Sequence, residues 1–269
     1  LHPGHVVAPV HLELPLVRGV VEGIAVPGVA HQVPDGVLLR LGPLPLAAHV
    51  GAGGGEGLEA DGGDDQQDGH DPDAERARQH YLAAGSGPLA LLLHGFPDSA
   101  WTWRHLLPEL AGAGYRAVAP FLRGYAPTAV PADGLYQPGA IATDANALHE
   151  VLGGDGDAVL IGHDWGALAT YSAAAHQPER WRRVVAAAVP PPATVAGAFF
   201  SYDQLRRSWY MFFFQSPFAD MVVPMDDLAF IDRLWADWSP GHDASDDLPR
   251  VKDALRDPAN LSAAIAYYR

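Results

Sequence analysis

Residues 158–166 read AVLIGHDWG, an apolar run followed directly by Gly162-His163-Asp164-Trp165-Gly166. The apolar run predicts a buried strand, and the spacing after Gly166 predicts a helix, so Asp164 stands at a sharp corner between them. Glycines two positions before and after Asp164 allow the strand and the helix to approach too closely for a Cβ atom. Such a corner strains the backbone of its central residue and pushes that side chain out above the sheet.

A carboxylate at this corner has two interpretations. It can attack an electrophilic carbon and form an alkyl ester on the enzyme, with the positive end of the helix dipole close to the reacting centre. Aspartate is also a common residue at helix starts, and the alternative is that Asp164 only caps the helix.

Strands and helices alternate on both sides of this corner, which predicts an α/β fold with a parallel sheet over residues 78–192. Residues 193–269 are helical and rich in aromatic side chains, which predicts a separate helical unit. The predicted strands are 88–93, 115–119, 158–161 and 183–189, and the predicted helices between them are 101–110, 140–152 and 167–176.

Residues 1–77 differ from the rest in composition. Residues 1–80 contain no Phe, Tyr or Trp, although aromatic side chains supply much of the buried area of a core. Residues 51–73 are rich in Gly and Asp, as is typical of a linker. We therefore expect residues 1–77 to be an extension and linker that is mostly irregular.

Net charge and cysteine content exclude several classes of function. The 269 residues carry a formal charge of −15, which disfavours nucleic acids and anionic membranes as partners. There is no cysteine, hence no disulfide and no thiolate chemistry. No motif for a metal ion or cofactor is present, and no apolar run reaches the length of a membrane span. We expect a cytoplasmic protein without a cofactor, and its oligomeric state is left open.

A second motif, His94-Gly95-Phe96-Pro97, follows the first strand of the predicted sheet. The carboxyl ends of parallel strands meet at one edge of a sheet, so this loop and Asp164 are expected to lie together. The backbone N–H groups of Phe96 and Trp165 can then form an oxyanion hole.

These motifs together resemble the α/β-hydrolase superfamily, and within it the epoxide hydrolase branch, to which haloalkane dehalogenases are related. The resemblance runs from about residue 78 to the end, and it implies a parallel-sheet core with a helical cap. It implies that Asp164 is the catalytic nucleophile, and that His94, Gly95 and Pro97 support the loop. The motifs are His94-Gly95-Phe96-Pro97, Trp101-x-Trp103-Arg104, Leu122-Arg123-Gly124-Tyr125 and Gly162-His163-Asp164-Trp165-Gly166.

The resemblance also implies two cap tyrosines that hydrogen-bond the epoxide oxygen and act as acids. Residues 208–215 and 266–269 are similar to the segments that carry them, which places them at Tyr210 and Tyr268. Helical spacing after Asp257 places Tyr268 on an apolar face and predicts that Tyr267 is rotated away from it. The alternative is that both tyrosines are only core aromatics.

The chain departs from the family in two respects. Phe121 and Ala126 stand where the family has Asp and Gly around its Arg-Gly-Tyr loop. The family's water-activating histidine and its acid partner follow the cap, and neither His176 nor His242 is placed like that histidine. We therefore expect a truncated hydrolase that forms a long-lived alkyl ester on Asp164 and turns over once.

The leading hypothesis is epoxide hydrolysis of a hydrophobic small molecule. One alternative within hydrolases is haloalkane dehalogenation or ester cleavage, with Trp165 as a halide donor, although such dehalogenases usually carry Asn at the position of Phe96. An alternative from another class is a non-catalytic binding protein with a hydrolase fold.

Overall fold

The computed structural model describes residues 40–45 and 78–269, so the predicted extension lies outside the described residues except for one strand. The described residues form six strands and ten α-helices. The strands are β1 (Arg40–Pro45), β2 (Arg78–Ala84), β3 (Leu89–Leu93), β4 (Arg116–Pro120), β5 (Val159–His163) and β6 (Arg183–Ala187). The helices are α1 (Leu106–Gly112), α2 (Pro138–Val151), α3 (Trp165–His176), α4 (Pro192–Ala198), α5 (Tyr202–Arg207), α6 (Trp209–Phe213), α7 (Phe218–Val222), α8 (Met225–Trp238), α9 (Leu248–Leu255) and α10 (Pro258–Ala266), with 3₁₀ turns at Ala100–Arg104 and Pro178–Arg180.

The six strands make one mostly parallel sheet in the order β1-β2-β4-β3-β5-β6. Strands β3 to β6 run parallel to one another, and β2 runs antiparallel to both β1 and β4. Pro43 and Pro45 lie in β1, which is at the edge of the sheet, where a missing backbone donor is tolerated. The predicted α/β fold is confirmed, and the antiparallel edge is an addition to it.

The centre of the sheet is covered on both faces. All five residues of β3 are buried, as expected for a continuous apolar strand of a parallel sheet. Helices α2 and α3 pack against each other, and α3 presents small buried residues such as Ala169 and Ala173 to its neighbours. Small side chains bring α3 close to β5, and the corner between these two elements holds Asp164.

The structure differs from the predicted elements in two places. Strand β2 is missing from the prediction because its residues are polar at the start and it is only partly buried, at Gln79, Leu82 and Ala84. The helix expected at 101–110 is a 3₁₀ turn followed by α1, and the two are separated at His105.

Residues 193–269 contain helices and no strand, so the cap is helical as expected. Hydrogen bonds attach this unit to the sheet domain. The indole N–H of Trp235 in α8 donates to the Pro97 carbonyl at 2.8 Å, and the Ala126 N–H donates to the Ala254 carbonyl at 3.0 Å. Arg104 forms an ion pair with Asp247. Within residues 40–45 and 78–269, none of the helices is long and apolar enough to cross a bilayer.

Candidate active site

Asp164 lies at the corner between β5 and α3 with a left-handed backbone (φ 54°, ψ −117°). A non-glycine residue rarely adopts this conformation, and where it persists the surrounding structure enforces it. A Cβ atom at Gly162 would lie 2.1 Å from the Gly166 carbonyl oxygen, and one at Gly166 would lie 2.1 Å from the Leu93 carbonyl oxygen. The predicted need for glycine on both sides of Asp164 is confirmed.

The Asp164 carboxylate faces the loop after β3. The Phe96 N–H donates to its Oδ1 at 2.9 Å, and the Trp165 N–H is a second backbone donor to the carboxylate. Its side chain makes no hydrogen bond that caps α3, which argues against the interpretation of Asp164 as a simple helix cap. Burial raises the pKa of Asp164, and the two backbone donors oppose that shift without cancelling it.

The loop before the Phe96 donor is tightly packed at His94 and Gly95. The His94 side chain is fully buried, its Nε2 accepts from the Leu122 N–H at 3.0 Å, and its Nδ1 lies 2.9 Å from the Gly95 carbonyl oxygen. Burial lowers the pKa of His94 to about 4, so the ring is neutral. A Cβ atom at Gly95 would lie 2.3 Å from the Asp164 carboxylate. With both nitrogens engaged, His94 is a supporting residue and not a base.

Tyr210 and Tyr268 come from distant parts of the cap and meet close to Asp164. Their ring centroids are 5.6 Å apart, and the Tyr268 ring lies 5.0 Å from Trp165 and 5.4 Å from Phe96, the two residues whose N–H groups hold Asp164. Burial raises the pKa of Tyr210 to about 12 and that of Tyr268 well above its usual value, and the Asp164 charge adds to both shifts. Both phenols therefore stay protonated at neutral pH, as an acid must.

The predicted orientation of Tyr267 is wrong. Its side chain is 5% exposed, its hydroxyl donates to the Arg123 carbonyl at 2.8 Å, and its ring packs on Trp165. Helix α10 ends at Ala266, so its period does not extend to the next two residues, and it packs against other elements on more than one side. Both consecutive tyrosines are therefore directed inward.

The loop that departs from the family motif is anchored by the cap. The Asn260 side chain donates to the Gly124 carbonyl at 2.8 Å, and the Arg123 guanidinium pairs with Asp144 at 2.6 Å. Phe121 is buried in the core at 3% exposure. Hydrogen bonds to α10 and α2 thus hold this loop in place, although Phe121 and Ala126 differ from the residues of the family motif.

His242 lies in the cap with its Nε2 3.1 Å from a carboxylate oxygen of Asp247. That carboxylate also binds Arg104. Burial alone would raise the pKa of Asp247, but the interactions with Arg104 and His242 outweigh that effect and lower the pKa. Nearby, burial raises the pKa of Asp98 to about 7. These groups join the cap to the core.

Two residues that the sequence analysis did not name shape the site, together with Tyr267, which it predicted to be rotated away. Phe214 is fully buried against Phe96, Tyr210 and Tyr268, with ring centroids 5.2 to 5.8 Å away. Trp235 holds the Pro97 carbonyl, and the hydroxyl of Tyr267 holds the loop at Arg123. The aromatic run at residues 212–214 was the one local signal for any of them, and it does not say which ring turns inward.

Comparison with known proteins identifies the family to which the fold belongs. Residues 88–222 match the family model described as the alpha/beta hydrolase fold. The chain is 39% identical to an epoxide hydrolase of Caballeronia sordidicola over 53% of this chain, and 34% identical to epoxide hydrolase 4 of Mus musculus over 71% of it. It covers 44% and 56% of those two proteins, which is about half of their length.

A solved structure shares the fold. It is a variant of an epoxide hydrolase from Bacillus megaterium complexed with its product (R)-3-[1]naphthyloxy-propane-1,2-diol. The match has a TM-score of 0.64 and 29% identity, and it covers 71% of this chain and 68% of that one.

Proposed function

The chain belongs to the α/β-hydrolase fold family and is epoxide hydrolase-like within it. From that premise we propose that it opens epoxides through an alkyl ester on Asp164. One observation carries the proposal: two protonated phenols, Tyr210 and Tyr268, stand over a carboxylate held by two backbone N–H groups. A nucleophile and two acids in one site match the two ends of the bond that breaks in an epoxide.

The first chemical step uses only these groups. A carboxylate oxygen of Asp164 attacks an epoxide carbon, a new C–O bond forms, and the ring C–O bond breaks towards the phenols. The ring oxygen takes a proton from Tyr210 or Tyr268, which leaves an alkyl ester and a phenolate. Hydrogen bonds from both phenols orient the epoxide before attack.

Hydrolysis of that ester requires water to attack the ester carbonyl carbon of Asp164. The N–H groups of Phe96 and Trp165 are then positioned to bind the oxygen that becomes negative. Activation of the water needs a base, and among residues 78–269 we assign that role to no side chain. His94 is excluded by its engaged ring nitrogens.

The walls of the site favour a hydrophobic epoxide. Phe96, Trp165 and Phe214 pack around Tyr268, and Trp238 lies 4.8 Å from the Tyr210 ring. A flat aromatic substituent fits such walls through stacked or edge-on contacts. The glycidyl ether of 1-naphthol, whose opening by water gives the diol bound to the Bacillus relative, is therefore the first substrate to test.

The deciding experiment is intact-mass spectrometry after incubation with this glycidyl ether. We expect the parent chain to gain the mass of one epoxide and the Asp164→Asn variant to gain none, because the amide keeps the shape and removes the attacking charge. Peptide mapping should place the adduct on Asp164. An equal adduct on both proteins, or an adduct on another residue, would show that Asp164 is not the nucleophile.

The same assay separates the alternatives. Alkyl chlorides or bromides of similar shape should react far more slowly than the epoxide, since no amide side chain stands at Phe96 to assist Trp165 in holding a halide. Faster alkylation of Asp164 by the halide, with release of halide ion, than by the epoxide would favour dehalogenation. Tight binding of the epoxide with no adduct and no product would favour a binding protein.

A further inference from the structure

Two side chains that are remote from the reacting atoms tie together the two segments carrying Tyr210 and Tyr268. A side-chain N–H of Gln215 donates to the Tyr268 carbonyl, and the Arg269 Nε donates to the Phe214 carbonyl at 2.7 Å. We propose that this reciprocal pair, hereafter the clasp, is a positioning device that sets the separation of the two phenols. The proposal rests on the function proposed above.

The clasp acts between segments that are far apart in the chain. Gln215 and Tyr268 are 53 residues apart, and helices α7 to α10 lie between them. Each clasp side chain directly follows one of the two bonded carbonyls and bonds the other, so the two hydrogen bonds run in opposite directions. Two opposed bonds restrain both sliding and rotation of one segment against the other.

Each clasp residue is itself held in place. The Gln215 amide also donates to the Met211 carbonyl at 3.2 Å, within the turn that follows Tyr210. The Arg269 guanidinium pairs with Asp220 at 2.9 Å, on α7. A side chain that is already held by one partner loses little further conformational entropy when it forms the clasp bond. The geometry of that bond is therefore well defined.

Aromatic contacts alone would leave the separation of the phenols loosely set. The Phe214 ring packs beside both, 5.8 Å from Tyr210 and 5.2 Å from Tyr268, and ring contacts of this kind tolerate a range of offsets. A hydrogen bond loses strength steeply as its angle and distance depart from the optimum. The clasp therefore fixes the relative position of the Tyr210 and Tyr268 segments more closely than the ring contacts do.

The consequence for the reaction is geometric. Both phenols have to reach one epoxide oxygen while Asp164 reaches the neighbouring carbon, and a displacement of about 1 Å can cost up to 10²-fold in rate. Loss of one clasp bond should reduce the rate constant for alkylation without weakening the apolar contacts that bind the substrate. Gln215 is exposed, so its replacement can be made without opening the core.

The test measures alkylation of Asp164 under single-turnover conditions as a function of epoxide concentration. Gln215→Met keeps the length of the side chain and removes the donor, and Gln215→Lys keeps a donor at its end. The matched control is Gln204→Met, since Gln204 donates at 2.9 Å to Ser208 at the start of the Tyr210 segment and takes no part in either clasp bond.

We expect Gln215→Met and Arg269→Met to lower the maximal rate constant roughly tenfold, with the half-saturating epoxide concentration changed less than twofold. Gln215→Lys should recover most of the rate, and Gln204→Met should match the parent within twofold. Parent-like rates in Gln215→Met would overturn the proposal, and so would a loss in Gln204→Met as large as that in Gln215→Met.

A second measurement does not depend on the epoxide chemistry. Nitration by tetranitromethane, mapped by peptide mass spectrometry, should modify Tyr268 several-fold faster in Gln215→Met than in the parent, with exposed Tyr202 as the internal standard. If the parent forms no adduct but Tyr268 becomes reactive in the variant, the proposed function fails and the restraint stands. If adducts form normally and neither rate nor nitration changes, the clasp fails and the function stands.

Discussion

The backbone N–H of Phe96 lies 2.9 Å from a carboxylate oxygen of Asp164, although 68 residues separate the two in the chain. This contact joins the loop after β3 to the corner after β5, two strands that are neighbours in the sheet. It fixes one oxygen of the carboxylate. The predictions below depend on this arrangement and on the phenols above it.

Removal of either phenol hydroxyl should slow the alkylation of Asp164. In the proposed mechanism each hydroxyl donates a proton or a hydrogen bond to the ring oxygen, so we expect Tyr210→Phe and Tyr268→Phe each to lower the rate about 10- to 100-fold. The double variant should lose roughly 10²- to 10⁴-fold, the range typical of general-acid catalysis. Tyr202→Phe is the matched control, since Tyr202 is 75% exposed on the same cap. The rate of adduct formation in all four variants is measured by intact-mass spectrometry. An unchanged rate in the double variant would show that the phenols take no part in the mechanism.

The alkylation rate should rise with pH and then stay level. Burial raises the pKa of Asp164, so the attacking carboxylate is lost as the pH falls through that raised value, with a slope of about tenfold per pH unit. The pKa of Tyr210 is raised to about 12, so the acid survives where an ordinary tyrosine would ionise. Rates measured from pH 4 to 10.5, with the Asp164→Asn background subtracted, should show this plateau. A decline between pH 9 and 10.5 would contradict protonated phenols with raised pKa values.

Gly166→Ala should destabilise the fold. Its Cβ atom would lie 2.1 Å from the Leu93 carbonyl oxygen and 2.8 Å from that of His94, both backbone atoms that cannot rotate away. Overpacking of this kind costs about 1–3 kcal/mol, and backbone contacts place it at the upper end. Gly139→Ala at the start of α2 meets nothing within 4 Å and should be neutral or slightly stabilising. Urea unfolding of both variants against the parent gives the comparison, and equal midpoints would contradict the close approach of β3 and α3.

Asp98→Asn should stabilise the protein in a pH-dependent manner. Burial raises the pKa of Asp98 to about 7, and the Ser99 N–H at 2.7 Å and the nearby Arg104 only partly offset this. The group is protonated in the folded state and ionised in the unfolded state between pH 4 and 7, so it removes stability as the pH rises through that range. At pH 8 we expect the variant to be more stable by about 1–2 kcal/mol, a figure reduced for the partial exposure of the side chain.

Below pH 4 the Asp98→Asn variant and the parent should unfold alike, since the carboxyl is protonated in both states. Asn keeps an oxygen for the Ser99 N–H, so the comparison isolates the charge. Urea unfolding at pH 8, 6 and 4 follows the difference, and a variant that is less stable than the parent at pH 8 would show that Asp98 is ionised and favourably paired.

Much of the nucleophile corner follows from local sequence. An apolar run, a glycine pair around Asp164 and a helical pattern specify strand, turn and helix, because steric limits on neighbouring residues act whatever the rest of the chain does. The same kind of signal predicts β3 to β6 within one or two residues. It fails for β2, whose mixed residues carry no clear period because only part of its surface faces the core.

The rest of the site depends on contacts between distant segments, and those leave no local period. The Phe96 donor, the paired phenols, the inward direction of Tyr267 and the bonds of Gln215 and Arg269 arise only when the cap folds back over the sheet. A resemblance names Tyr210 and Tyr268, but their separation is set by packing and hydrogen bonds. The sequence by itself therefore determines that Asp164 lies at the strained corner between β5 and α3. The tertiary structure determines which side chains and backbone groups contact its carboxylate, because those contacts depend on the three-dimensional path of the whole backbone.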